Sequence, residues 1–248
     1  MCLIVFAWRP GHALPLIVAA NRDEFYARPT QALGAWEDAP GVHAGRDLEA
    51  GGTWLGVGPQ GRFAALTNIR DPGQPLGPRS RGELVAAYLQ GELGVEGYLD
   101  QAASRSGQYS GFNLLVGDGR QLGYLHAREA APRLLEPGVY GLSNAGLDTP
   151  WPKLVKARRG LEGLLETADP QQLLALLADG ETAADADLPQ TGVGLATEKL
   201  LSSVFIASQT YGTRASTVLI VDDRGRRRLV ERSFGPFGGH LGEVCLEV

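Results

Sequence analysis

Two nearly continuous apolar runs, Cys2 to Trp8 and Leu14 to Ala20, open the chain and are separated by the Pro- and Gly-containing stretch Arg9 to Ala13. Short runs of β-forming residues on either side of such a stretch read as a β-hairpin. Neither run alternates apolar with polar, so the hairpin is expected to be covered on both faces, as in a sheet held between layers. Setting the apolar limits of the runs against each other pairs Leu3 with Ala20, Trp8 with Pro15 and Cys2 with Asn21. In that register Asp23 shares a sheet face with Asn21 and Cys2, and Arg22 points the other way. A slip of one residue reverses the assignment.

Beyond the hairpin, residues 26–52 are rich in Pro, Gly, Asp and Ala without a clear period, and read as a long surface excursion. Thr53 to Val57 and Arg62 to Thr67 read as strands around the turn Gly58-Pro59-Gln60-Gly61. Helical patterns follow near Arg81 to Gln90 and Val95 to Ala103, then short strands at 112–116, 122–126, 133–135 and 139–142. Helices return at Trp151 to Ala168, with an apolar face on 154, 155, 161, 164 and 165, and at Pro170 to Leu177. An acidic loop over 179–192 leads to strands at 204–207, 217–221, 228–231 and 244–248. Alternating blocks of strands and helices, with no internal repeat and no convincing linker, predict one domain over residues 1–248. In it, two helix pairs cover the outsides of stacked, largely antiparallel sheets.

The 248 residues carry 23 basic and 28 acidic side chains, a balance that argues against a nucleic-acid partner, since duplex binders concentrate a basic excess. The hydrophobic fraction of 44% fits an ordinary globular core. Two cysteines at opposite ends, Cys2 and Cys245, make no disulfide framework. With no signal-peptide pattern and no apolar stretch near the roughly 20 residues of a membrane helix, a cytoplasmic protein without an integral membrane segment is expected. Lysine occurs only at 153, 156 and 199, which reads as coding bias toward arginine.

Several motif matches fail on mechanism. Gly56, Gly58 and Gly61 have dinucleotide-fingerprint spacing, but the segment after them reads as a strand rather than the helix N-terminus that would hold a pyrophosphate. Gly141-Leu142-Ser143-Asn144-Ala145 lacks the second glycine of a serine elbow. His12, His43, His126 and His240 have no metal-site spacing, so no metal is expected. Trp8, Trp36, Trp54 and Phe112 read as core aromatics before pocket lining.

Cys2 stands apart because removal of the initiator methionine, usual before a small residue, would leave its thiol beside its own α-amine. An α-amine has an unperturbed pKa of about 7.7–8.0 and can serve as the base for that thiol. Asp23, at the end of the second apolar run, is a candidate to orient the amine. Asn68 and Asn144, at strand ends, carry amides able to donate to an oxyanion. Taken singly, each of these residues is more often a buried strand residue or a turn former.

Read together, Cys2-Leu3-Ile4-Val5, Asn21-Arg22-Asp23-Glu24, Gly51-Gly52-Thr53-Trp54-Leu55-Gly56, Thr67-Asn68-Ile69-Arg70, Gly111-Phe112-Asn113-Leu114-Leu115, Leu142-Ser143-Asn144 and Thr213-Arg214-Ala215-Ser216-Thr217 closely resemble the NRDE family. This is the family of the eukaryotic transport and Golgi organization proteins. The resemblance implies an α+β fold, a four-layer αββα sandwich of the N-terminal nucleophile hydrolase type. It implies catalytic roles for Cys2, Asp23, Asn68, Asn144 and Arg214: nucleophile, amine contact, oxyanion and substrate contacts, and completion of the site. The chemistry implied is hydrolysis of a linear, non-peptide amide C–N bond, or of another acyl bond, in a small molecule. Binding and trafficking of haem or of a lipid or acyl-coenzyme A is the alternative the family raises, although no histidine or cysteine lies in a distinctive haem-ligation motif. The related hydrolases carry an arginine a few residues before the aspartate. Here the arginine is the adjacent Arg22, which the register above places on the opposite face.

Overall fold

In the computed structural model, which describes residues 2–248, the opening runs form β1 (Cys2–Trp8) and β2 (Leu16–Phe25). There follow β3 (Thr30–Ala35), β4 (His43–Asp47), β5 (Leu55–Val57), β6 (Phe63–Asn68), α1 (Gly82–Gln90) and α2 (Val95–Ser104). Next come β7 (Phe112–Gly117), β8 (Leu122–His126), β9 (Arg133–Leu134), β10 (Gly138–Leu142), α3 (Pro152–Glu162) and α4 (Pro170–Leu177). The chain closes with α5 (Leu195–Leu200), β11 (Tyr211–Val221), β12 (Arg227–Phe234) and β13 (His240–Glu247). It is a mixed α+β protein built on two large antiparallel sheets, of six and seven strands.

The described residues group into two compact units. The first, residues 2–27, 70–72 and 137–248, contains the sheet β10-β1-β2-β11-β12-β13. Leu154, Ala157 and Leu161 of α3 and Leu173, Leu174 and Leu177 of α4 pack on Leu3, Val5, Ala7, Ile17 and Ala19 of that sheet. Each leucine, isoleucine or valine among them, taken fully out of water, contributes about 1.5–3 kcal/mol. A Cβ on Gly141 would lie 2.5 Å from Leu154, so glycine in β10 is what lets α3 sit this close to the strand. The second unit, residues 28–69 and 73–136, is a meander of β3 to β9 in chain order with α1 and α2 on one face. Thr53 N–H bonds to the Gly82 carbonyl at 3.2 Å, and a Cβ on Gly52 would stand 2.4 Å from the Gly82 carbonyl carbon. The Gly-Gly-Thr-Trp segment is therefore a close backbone crossing at the start of α1. Trp8, Trp36, Trp54 and Phe112 are all buried, and the Trp36 ring N–H bonds to the Ala44 carbonyl.

The hairpin register differs from expectation by one residue: Cys2 pairs with Arg22, Leu3 with Asn21, and Trp8 with Leu16. The connecting loop sets this register. Arg9 N–H donates to the Pro15 carbonyl at 2.8 Å, which places Pro15, lacking an N–H of its own, opposite Arg9 and not opposite Trp8. Residues 26–52 are also more regular than their composition suggests, since β3 and β4 pair there across a register shift between Gln31 and Gly34. The segment 204–207 contributes only an isolated bridge between Ala207 and Gly212, and the short helix α5 had no counterpart in the sequence reading.

Candidate active site around Cys2

Cys2 opens β1 with 5% of its surface exposed. Residues directly opposite in an antiparallel pair share a sheet face, so Cys2 and Arg22 lie on one face, with Asn21 and Asp23 on the other. The contacts of Asn21 identify that second face as the helix side: its amide donates to the carbonyls of Leu177 and Val204 at 2.9 and 2.8 Å. Its Oδ1 accepts from the Ser216 hydroxyl at 2.6 Å. Asn21 thus ties β2 to the end of α4, a structural role within a motif that sequence alone could only treat as a block.

Asp23 is 1% exposed. The Thr213 hydroxyl donates to its Oδ1 at 2.7 Å and itself accepts from the Ile206 N–H at 3.0 Å, so the threonine proton is committed to the carboxylate. Burial raises the Asp23 pKa, and the charges of Lys153 and Arg70 and the Thr213 hydrogen bond oppose the rise. Burial also raises the Cys2 thiol, and the Asp23 charge adds to this. Arg22 and the backbone N–H of Asp23 act against it. The thiol is therefore the resting form near neutral pH, and attack needs a group to take its proton. The one-residue slip also changes the reading of Arg22: it shares the face of Cys2 and favours its deprotonation.

The segment leaving β10 wraps the same end of β1. Ser143 Oγ donates to the Cys2 carbonyl at 3.2 Å and lies 3.3 Å from Asn144 Oδ1, and both residues are buried. The Asn144 carbonyl accepts from the Arg70 N–H at 2.8 Å. The Arg70 guanidinium is paired with Glu198 at 2.6 Å, both side chains being under 5% exposed, and it stacks over the Trp151 ring at 4.6 Å. Glu198 Oε1 accepts from the N–H and hydroxyl of Thr191, so both carboxylate oxygens are occupied. Two residues beyond Trp151, Lys153 enters α3 with 3% of its surface exposed and with no hydrogen-bond partner for its Nζ among the described residues. Burial lowers its pKa to about 8 against the attraction of Asp23.

Cys2, Asp23 and Asn144 thus stand at one end of the first sheet. Arg214 occupies the β-bulge at which β11 shifts register against β2 between Thr213 and Ala215. Its guanidinium donates to the carbonyls of Phe25 and Tyr26 at 3.0 and 3.1 Å. A bulge places two residues opposite one and re-aims the extra side chain. Asn68 ends β6 in the second unit, half-buried and paired in register with Phe112. Sequence reasoning missed Lys153, Glu198 and Thr213 as members of the cluster and gave Arg70 no role. The scarcity of lysine was the available signal for Lys153, and reading it as coding bias discarded that signal.

Two solved structures share this architecture. A Caenorhabditis elegans ortholog of N-acylethanolamine-hydrolyzing acid amidase matches with a TM-score of 0.52 at 13% identity, over 88% of this chain and 92% of that one. The C2A mutant of a conjugated bile acid hydrolase from Clostridium perfringens matches with a TM-score of 0.55 at 7% identity, over 100% and 92%. The fold is that of the N-terminal nucleophile hydrolases. The chain belongs to the Transport and Golgi organisation 2 family, whose model matches residues 1–236. The Transport and Golgi organization protein 2 homolog of Bos taurus is 39% identical over 94% of this chain and 93% of its own length. Among the described residues no helix is long and apolar enough to cross a membrane.

Proposed function

We propose that this chain is an N-terminal cysteine hydrolase acting on a non-peptide amide or related acyl bond of a small molecule. The observation that carries the reading is the buried cluster at the start of β1: Cys2 opens the strand, and the Asp23 carboxylate, held by Thr213 on the opposite face, lies at the same end of the sheet. With Met1 removed, the Cys2 α-amine takes the thiol proton as Sγ bonds to the substrate carbonyl carbon. Collapse of the tetrahedral intermediate breaks the C–N bond, and the same proton leaves on the amine product. Water then attacks the thioester, the α-amine again acting as base, and the acid and free thiol are released. Asp23 balances the α-ammonium during turnover. Asn144 donates to the oxyanion, and Arg214 receives a substrate carboxylate. Support comes from the fold shared with an acid amidase and a bile acid hydrolase.

Intact mass measured before and after incubation with a panel of acyl amides and thioesters tests this directly. The expected result is loss of Met1, an acyl adduct on the mature chain, and no adduct in Cys2→Ala. Quantitative retention of Met1 with no adduct from any compound overturns it. That outcome would leave carriage without turnover, in keeping with the transport in the family's name, and a Soret titration would then test haem as cargo.

A further inference from the structure

The chain has three lysines, and two of them end on surface carboxylates: Lys156 on Asp179 and Glu181, and Lys199 on Asp185. Lys153 does the opposite. Its ammonium is buried without a hydrogen bond among the described residues, a costly placement unless a neighbouring charge offsets it or the site uses it. Its position is fixed from two sides. Pro152 and the Trp151 ring, stacked on Arg70, start α3 where the chain has just left Ser143 and Asn144. Leu154 then seats the helix on Gly141, whose strand partner is Val5 of β1. Asp23 lies on the same helix-side face of the sheet by strand alternation from Asn21.

We propose that Lys153 is a positioning residue of the Cys2 site, its buried ammonium supplying the positive charge that offsets Asp23 and favours the deprotonated nucleophile. The proposal rests on the reading of Cys2 as that nucleophile. The charged and titratable groups that act on Lys153 are Asp23 from β2, Cys2 from β1, Glu198 from α5 and Arg70. Tyr211 of β11 adjoins the same cluster, with Asp23, Cys2 and Arg70 all acting on its hydroxyl. Arg70 and Glu198 neutralise each other at 2.6 Å. On the helix side this leaves Lys153 as the side-chain cation set against Asp23, while Arg22 acts from the other face. Interaction between two charges is mutual: Cys2 favours the charged form of Lys153, so the ammonium favours the thiolate. Near pH 7 Lys153 keeps its own proton, and the thiol proton still passes to the α-amine.

The test is the pH dependence of iodoacetamide alkylation of Cys2 in the full chain, with exposed Cys245 replaced by serine in every variant. Lys153→Met is expected to alkylate roughly tenfold more slowly near pH 7, where Lys153 is charged, and to converge on the wild-type rate as the pH rises past about 8 and Lys153 loses its proton. Lys153→Arg, which keeps the charge, is expected to stay near the wild-type profile. A Lys153→Met profile superimposed on wild type overturns the proposal, as does a Cys2 that stays inert up to pH 10. Should Lys153→Met fail to fold, 13C resonances of the three lysine side chains in the otherwise intact protein give a second reading. Lys153 should titrate below Lys156 and move further down in Asp23→Asn, and no movement in Asp23→Asn refutes the coupling. Alkylation needs no acyl substrate. A chain that alkylates as expected but never acylates loses the hydrolase reading and keeps this one, and the reverse result loses this one alone.

Discussion

Removing the Lys153 charge should make the fold more stable while making Cys2 less reactive. The ordinary lysine pKa of 10.5 falls to about 8 in the folded chain, chiefly through burial, so the folded state binds this proton more weakly than the unfolded state does. At 1.36 kcal/mol per pKa step, the drop of about 2.5 corresponds to about 3 kcal/mol against folding wherever both states are protonated, that is, below pH 8. Between pH 8 and 10.5 the unfolded chain holds the proton and the folded chain releases it. Stability contributed at this site therefore rises with pH, and above 10.5 the penalty is gone. Lys153→Met keeps the length and most of the volume of the side chain and never carries the charge. It should gain about 3 kcal/mol at pH 7, a rise in Tm of about 6–12 °C for a chain of this size, and nothing at pH 10.5. Urea or thermal unfolding of both proteins at pH 7, 9 and 10.5 reads the difference. A variant less stable than wild type at pH 7, or a difference that does not shrink as the pH rises, refutes the reasoning. A gain in stability coupled to a slower thiol is the usual sign of a strained functional group.

Two further substitutions test the frame around the site. Arg70→Ala leaves Glu198 charged, buried and half unpaired, and should cost about 3–5 kcal/mol, visible as a large fall in the urea midpoint; a loss under 1 kcal/mol would mean the pair is not buried as described. Gly52→Ala drives a methyl into the Gly82 backbone, which has no flexible side chain to yield, so a loss of about 1–3 kcal/mol is expected in thermal melts. An unchanged Tm there would contradict the close crossing.

How much of this was legible in the sequence depended on whether a local signal had a phase. The helix over Pro170–Leu177 was, end to end, because Asp169 caps it through the Gln172 N–H, Pro170 starts it, and its leucines keep the helical period. The first hairpin was legible as a hairpin but not in register. Both its faces are buried, so the pattern of apolar residues contains nothing that distinguishes one alignment from the next, and the loop from Arg9 to Pro15 decides it. β3 and β4 were hidden by small and polar residues whose pairing is interrupted by a bulge. At the site, Cys2 and Asp23 were found from chemistry and resemblance. Lys153 was not, because a basic residue in the first turn of an amphipathic helix looks like a solvated one. The charged groups that act on it come from distant parts of the chain, among them Arg70 and Glu198, 128 residues apart in sequence.

Arg22 and Asp23 are neighbours in the chain, yet the pleat of β2 sends their opposite charges to opposite sides of the sheet, one toward the thiol and one toward α3. Which charge goes where is decided at the far end of the hairpin, by the residues between Arg9 and Pro15. A change of one residue in that loop that moved the ladder by one step would leave every apolar contact type in place and exchange the two charges. The sign of the field at the nucleophile is thus encoded in a loop length, some six residue pairs away along the ladder from the sulfur it governs.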